Sequence, residues 1–242
     1  MSTSLSASSA SSAPSARDEI LARVRAAVAD VTTEPGARAE VPVTEAASTG
    51  PAETLELFAE NVADYRATVI RVDGAGGAAG IGTALAHALH ERGCTSAVVP
   101  EGLDPVWRRA VEAVLAVRGE ADATSSSVLD RIDAVITGAA VGIATTGTIV
   151  LDHGADQGRR ELTLVPDTHV CVIRADQVVH DVPEAVSRLR TEMGRQRALT
   201  WISGPSATSD IELQRVEGVH GPRTLIVVLV SEPPQSGSQL EG

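Results

Sequence analysis

The chain has 242 residues, room for one large domain or two small ones, and 43% of them are apolar, too many for wholesale disorder. With 32 acidic and 20 basic residues its formal charge is −12, which argues against duplex nucleic acid and anionic membranes as partners. All 20 basic residues are arginine, so Schiff bases, P-loop lysines and Ser-Lys or Tyr-x-x-x-Lys sites are excluded.

The aromatics are Phe58, Tyr65, Trp107 and Trp201 alone, so the core must be built from Ala, Val, Leu and Ile, and base-stacking platforms are nearly excluded. In chain order, the first 16 residues hold eight serines and no apolar h-region, and read as a disordered tail. Ile20, Leu21, Val24 and Val28 fall at helical spacing, predicting a helix over 17–30 with Ser15 as N-cap. Residues 31–51 read as a linker or wrapping arm, so 17–51 form a helix and arm ahead of the main domain at 52–231. A helix is predicted at 52–65, then a strand at 67–72, a glycine-rich turn at 73–80, and a helix from Ile81 to Arg92 stopped by Gly93. A strand at 96–99 and a helix from Pro105 to Val117 follow. Strands are predicted at 133–137, 146–151, 162–165, 170–173, 199–202 and 224–230, with a helix from Pro183 to about Arg195. Residues 232–242 read as a frayed tail.

Strands apolar throughout and alternating with helices predict an α/β fold: one mainly parallel sheet, residues 67–231, with helices on both faces. Such sheets bind ligands outside the carboxyl ends of their strands, so the loops there are the candidate site. No segment approaches 18 uninterrupted apolar residues, so no membrane span is expected. Cys94 and Cys171, 77 residues apart, cannot ligate an iron–sulfur cluster or a four-cysteine zinc site, and their usage fits a reducing cytoplasm.

Four constellations carry candidate chemistry. Gly74-Ala-Gly76-Gly77-Ala-Ala79 fits a loose G-x-G-x-x-A dinucleotide fingerprint, with Glu101 after the next strand as a ribose partner; a plain turn or an anion cradle of backbone N–H groups competes with it. Thr145-Thr146-Gly147-Thr148 offers hydroxyl donors to an oxyanion, against the simpler reading of strand threonines and a bend glycine. Arg159 and Arg160 can clamp a carboxylate or serve as surface ion pairs. Ser203-Gly204-Pro-Ser206-Ala-Thr208-Ser-Asp210-Ile-Glu reads as an anion-holding helix start or as a capped helix without ligand. His220, between glycines, is the best single candidate for a functional imidazole, with a structural turn as the alternative. His87 and His90 lack a third ligand, so a solvated helix face is expected there rather than zinc.

The order Thr137-Gly138, Gly142-Ile-Ala-Thr-Thr-Gly-Thr-Ile-Val-Leu-Asp152, Leu164-Val-Pro-Asp-Thr-His169, Ser203-Gly-Pro-Ser-Ala-Thr-Ser-Asp-Ile-Glu212 and Gly218-Val-His-Gly-Pro222 resembles the LUD-domain family over residues 52–231. That resemblance implies a NagB/RpiA/CoA-transferase-like sheet. It also implies organic-acid metabolism: an accessory subunit in the oxidation of L-lactate to pyruvate, binding a small carboxylate and two partners, one cysteine-rich and one carrying iron–sulfur clusters. This chain itself is expected to bind no cofactor or metal. The alternative the resemblance leaves open is a free-standing CoA-transferase-like enzyme acting on an acyl or phosphorylated molecule. Thr145 stands where many family members carry a glutamate, and a threonine with no adjacent base is a poor nucleophile.

Overall fold

The computed structural model describes residues 15–29, 49–192, 198–209, 215–217 and 221–231. The serine-rich tail through residue 14, most of the arm and the tail at 232–242 lie outside the described residues. The chain divides into two units, Met1–Val43 and Thr44–Gly242. The first contains α1 (Ala16–Ala27). Ser15 caps it as its spacing predicts, accepting from Asp18 N at 3.3 Å while Asp18 Oδ2 accepts from Ser15 N at 3.3 Å, a reciprocal capping box.

The second unit begins with α2 (Pro51–Asp64), β1 (Thr68–Val72), α3 (Gly77–Glu91), β2 (Ser96–Val99), α4 (Pro105–Glu112) and β3 (Ala116–Gly119). It continues with α5 (Ser126–Leu129), β4 (Ala134–Thr137), β5 (Val141–Ile143), β6 (Thr148–Leu151), β7 (Thr168–Arg174), β8 (Val178–Val179) and α6 (Val182–Glu192). Then come β9 (Thr200–Ile202), β10 (Ala207–Ser209), β11 (Arg215–Glu217) and β12 (Thr224–Val230). The main sheet runs β1-β12-β7-β4-β2-β3, and every pairing in it is parallel. One face packs Leu85 and Leu89 of α3 and Trp107 and Val111 of α4 on Val170, Val172, Ile226 and Val228. The other packs Phe58 and Val62 of α2, with Ile149 and Leu151, on Cys171, Ile173, Val227 and Leu229.

The expectation of one sheet over 67–231 is corrected in part. β5, β6, β8 and β9 form a second, four-stranded sheet of order β8-β5-β6-β9, with β5–β6 and β6–β9 antiparallel. It lies between the main sheet and α6, whose Ala185 and Leu189 pack on Val141, Ile143 and Val150. β5 and β6 are therefore buried on both faces, while β9 at the edge leaves Trp201 exposed, and the apolar run of β6 looks like that of a parallel core. The strand expected at 162–165 is instead a 3₁₀ turn, Arg160–Thr163, that plugs Leu162 among Val98, Leu129 and Val135. The helix expected to reach Val117 stops at Glu112, and Ala116 N opens β3 by donating to Thr95 O at 3.0 Å. β3 sits at the sheet edge with alternating exposure, which is why it lacks the unbroken apolar signature. No helix starts within Ala207–Ser209; those residues pair antiparallel with β11.

At the amino end of the main sheet Asp133 ties β2 to β4. Its Oδ2 accepts from Thr95 N at 2.8 Å, Thr95 Oγ1 at 2.8 Å, Ser96 N at 3.0 Å and Ser96 Oγ at 3.1 Å. Burial is the largest single influence and raises its pKa, but the hydrogen bonds together outweigh it and leave the carboxyl below its ordinary value. Such a group contributes stability in full above its unfolded value of about 3.9 and loses it as pH falls through the lower folded value. Asp133→Asn is therefore expected to cost about 1–3 kcal/mol in urea unfolding at neutral pH, with parent and variant converging below that window. A gap that persisted undiminished in strong acid would show that the carboxylate charge plays no part.

Candidate functional site

The Thr145–Thr148 segment is the turn between β5 and β6. Gly147 sits in the left-handed region with φ +55, and a Cβ there would lie 2.6 Å from the Asn61 carbonyl carbon, so α2 is seated directly on the turn. Asn61 Nδ2 donates to Ala144 O at 2.8 Å, and Thr145 N donates to His180 O at 3.0 Å. Thr146 Oγ1 donates to Thr148 Oγ1 at 2.8 Å, and Thr148 Oγ1 lies 2.8 Å from Ser203 Oγ. Thr145 lies apart from this hydroxyl chain, in a shallow depression with Asn61, Asp64, Tyr65 and Thr146.

Ser203 leads into Gly204, whose φ of +83 turns the chain tightly against Tyr65 at the end of α2, where a Cβ would sit 2.7 Å from Tyr65 O. Ser206 N then donates to Pro222 O at 2.8 Å, joining the loop after β9 to the loop before β12. Together with Arg160, Thr163, His169 and Thr200, these loops enclose a crevice of about 360 Å³. Arg160 is exposed, and its guanidinium makes no ion pair among the described residues. Arg159 does something else: its guanidinium donates to Glu120 O at 3.1 Å and to Ala123 O, bracing the segment after β3. The carboxylate clamp is thus open to Arg160 and not to Arg159.

One imidazole lines the crevice, and a second is hydrogen-bonded to its Thr200. His169 is 1% exposed, and its Nε2 lies 2.8 Å from Thr137 Oγ1. Burial pushes its pKa down to about 4, so it is neutral near pH 7. His153, at φ +57, places Nδ1 3.1 Å from Gly158 O and Nε2 2.9 Å from Thr200 Oγ1. A carbonyl only accepts, so in the neutral ring Nδ1 carries the proton and Nε2 accepts from the Thr200 hydroxyl. Thr200, which lines the crevice, is thereby oriented with its hydroxyl hydrogen on His153 and its oxygen able to accept. His153 is visible in the sequence at a strand end, but its partner lies 47 residues away and only the β6–β9 pairing brings them together.

The expected convergence of all the loops fails. β1 and β12 are parallel neighbours, so the loop after β1 and the loop before β12 must lie at opposite ends of the sheet. Gly74, Gly76 and Gly77 are at the carboxyl end; Ser203, Gly204 and Ser206 are at the amino end. The dinucleotide reading fails for a related reason. β2, which precedes Glu101, is four places from β1 in the strand order, about 19 Å at normal strand spacing, too far for one ribose. Thr208 belongs to β10, while Asp210 and His220 lie outside the described residues.

Neither cysteine gathers a ligand set. Cys171 is fully buried, its thiol directed at Gly138 O at 3.5 Å, and burial pushes its pKa up to about 12. Among the described residues no three His, Cys, Asp or Glu cluster in a metal-holding arrangement, and no helix is long and apolar enough to cross a membrane.

Comparison with known proteins bears on this geometry. A family model for the LUD domain matches residues 7–230. Lactate utilization protein C of Deinococcus radiodurans is 46% identical over 179 residues, 74% of this chain and 80% of that protein. Lactate utilization protein C of Bacillus subtilis is 32% identical over 101 residues, 40% of this chain and 42% of that one. The crystal structure of a DUF162 family protein from Deinococcus radiodurans superposes with a TM-score of 0.64 at 40% identity, covering 76% of this chain and 99% of that chain.

His169 gives this site a pH signature. Its folded pKa is depressed, so the unfolded chain takes up a proton near pH 6.5 that the folded chain refuses until about pH 4. Stability is full above pH ~6.5 and falls by about 3 kcal/mol across that window as pH drops. His169→Gln should remove this slope, measured as the difference between parent and variant urea midpoints from pH 7 to pH 4. A slope identical in both proteins would place the pH dependence elsewhere.

Proposed function

Because the chain belongs to the LUD-domain family, we propose that it is an accessory subunit of an L-lactate utilization system that holds a small carboxylate in the amino-end crevice. The observation that carries this reading is the 46% identity to a lactate utilization protein C across 80% of that protein. The crevice supports it chemically. Arg160 supplies a guanidinium for the carboxylate, and Ser203 and Ser206 supply hydroxyls. Thr200, which lines the crevice and is hydrogen-bonded to His153, supplies an acceptor for the hydroxyl of a 2-hydroxy acid.

Oxidation of L-lactate to pyruvate removes two electrons and two protons. This chain has two separated cysteines and cannot hold a cluster, so the electrons pass to iron–sulfur centres in two partner proteins, one of them cysteine-rich. The role of this chain is to bind and orient the acid within that assembly, in the cytoplasm, and to bind no cofactor of its own. The position where a transferase nucleophile would stand is Thr145, on a turn outside the crevice lining, which favours the accessory role over independent acyl transfer.

The test is growth on L-lactate as sole carbon source. Deletion of the gene should abolish growth and the wild-type gene restore it. Arg160→Gln combined with Ser206→Ala should fail to restore growth while melting near the parent temperature, since each charge-assisted hydrogen bond lost weakens binding by about 1.5–3 kcal/mol. Undiminished growth of the deletion strain would overturn the role in lactate use. Full rescue by the double variant would overturn the assignment of the crevice.

A further inference from the structure

The amino-end crevice is larger and more apolar than a three-carbon acid requires. Its volume of about 360 Å³ lies among the cavities of ~300–1,000 Å³ that take drug-sized ligands, and lactate fills only a fraction of it. Trp201 and Leu164 line it, and the fold leaves both exposed, at 42% and 36%. Ile202 and Leu225 add to the apolar lining. A site shaped for lactate alone has one methyl group to cover and no use for an indole.

A second, independent observation concerns His169. It stands near the start of β7, opposite Val135 and Leu225 in the two parallel pairings, on the sheet face that carries Cys171 and Ile173. It lines the crevice although it is 1% exposed. Nε2 lies 2.8 Å from Thr137 Oγ1, and Nδ1 has no hydrogen-bond partner among the described residues. Nor is Nδ1 sealed, since Trp107 Nε1 is the one side-chain nitrogen or oxygen among the described residues that is both sealed and unpartnered. The sliver of surface that His169 keeps therefore includes Nδ1, and that atom opens on the crevice. Its hydrogen follows from Thr137, a buried hydroxyl whose one nitrogen or oxygen partner among the described residues is His169 Nε2. Were Nε2 the donor, the hydroxyl hydrogen would be left with the Cys171 sulfur, a weak acceptor. The Thr137 hydroxyl therefore donates to Nε2, the neutral ring carries its hydrogen on Nδ1, and Cys171 Sγ donates to Gly138 O at 3.5 Å. The crevice floor thus presents one fixed N–H donor.

Resting on the reading that this crevice holds a carboxylate, we propose that its preferred ligand is a 2-hydroxy acid with an apolar side chain larger than the methyl of lactate, and that His169 Nδ1–H donates to the oxygen on its C2. The carboxylate pairs with the exposed Arg160, and the side chain packs on Trp201 and Leu164. A C2 hydroxyl accepts from His169 and donates to Thr200 Oγ1, so it satisfies both groups at once. Lactate is the smallest member of this class and uses the polar contacts alone.

The full chain is titrated by equilibrium dialysis with L-lactate, 2-hydroxy-4-methylpentanoate, 3-phenyllactate and 3-phenylpropionate, the last lacking the C2 oxygen. The two larger hydroxy acids should bind at least ~10-fold tighter than lactate. 3-Phenylpropionate should bind ~5–100-fold more weakly than 3-phenyllactate, because it leaves the imidazole N–H unpaired. Trp201→Ser, at an exposed position, should erase most of the gain for 3-phenyllactate. Imidazole ¹H–¹⁵N NMR reads the histidine contact in the unaltered chain, with the His169 signals assigned by their loss in His169→Gln. The proton should be found on Nδ1, and its resonance should shift saturably with 3-phenyllactate. Lactate binding that depends on Arg160, with the larger acids no tighter, would overturn this proposal and leave the crevice assignment standing. No binding of any acid at millimolar concentration would overturn both. A proton found on Nε2, or a His169 resonance unmoved by saturating 3-phenyllactate, would likewise overturn the proposal.

Discussion

The insertion of β12 between β1 and β7 is the constraint on which the rest of the fold depends. Its residues face both ways: Ile226, Val228 and Val230 pack under α3 and α4, and Leu225, Val227 and Leu229 pack under α2 and the second sheet. Each such side chain contributes on the order of 1.5–3 kcal/mol on burial, so this one strand joins the two cores. It runs parallel to both neighbours. Parallel pairing fixes which loops share an end, and so separates the glycine turn after β1 from the serine loops before β12. It also means that the sheet cannot close until the last strand of the domain arrives, a non-local pairing of the kind that folds slowly.

The close seating of α2 follows from the same arrangement. Gly142 lets the second sheet approach: a Cβ there would lie 2.6 Å from Ile173 Cδ1 and 3.0 Å from Phe58 Cε2. Gly147 and Gly204 do the same where two turns meet α2 at Asn61 and Tyr65. The glycines of Thr-Thr-Gly-Thr and Ser-Gly-Pro-Ser are thus accounted for by backbone contact alone. Their hydroxyls are not. Thr146, Thr148 and Ser203 form a linked chain that reaches the crevice rim, and nothing in the packing of α2 requires oxygen there. The motifs therefore combine an architectural half with a polar half, and substituting the glycines reports on stability only.

The alternation of apolar strands and helices was legible because the inner main-sheet strands are buried on both faces, and β2 and β12 were placed to the residue. What was not legible has a common cause. β6 carries the same apolar pattern as the parallel strands, and the pattern records burial, not partner or direction. The antiparallel turn at Gly147 and the cover from α6 are contacts between distant segments. The same limit governed the site. Arg160, Ser203, Gly204 and Ser206 were identifiable as residue types near strand ends, and they do meet. The Thr200–His153 contact, the bracing use of Arg159 and the distance from Glu101 to the glycine turn depend on strand order, which no local spacing encodes.

Strand direction also divides the chemistry between the two ends. Crossover helices in a parallel sheet run against the strands, so α3 begins at the carboxyl end and finishes at the amino end. There Arg92, its C-cap residue, donates to Thr224 Oγ1 at 2.6 Å, a cation where the helix dipole is negative. α2 likewise ends beside Gly204, its carbonyls at Asn61, Val62 and Ala63 accepting from the amides of Tyr65, Ala67 and Arg66. Helix dipoles thus work against an anion at that end. A carboxylate held there must depend on Arg160 and hydroxyl donors.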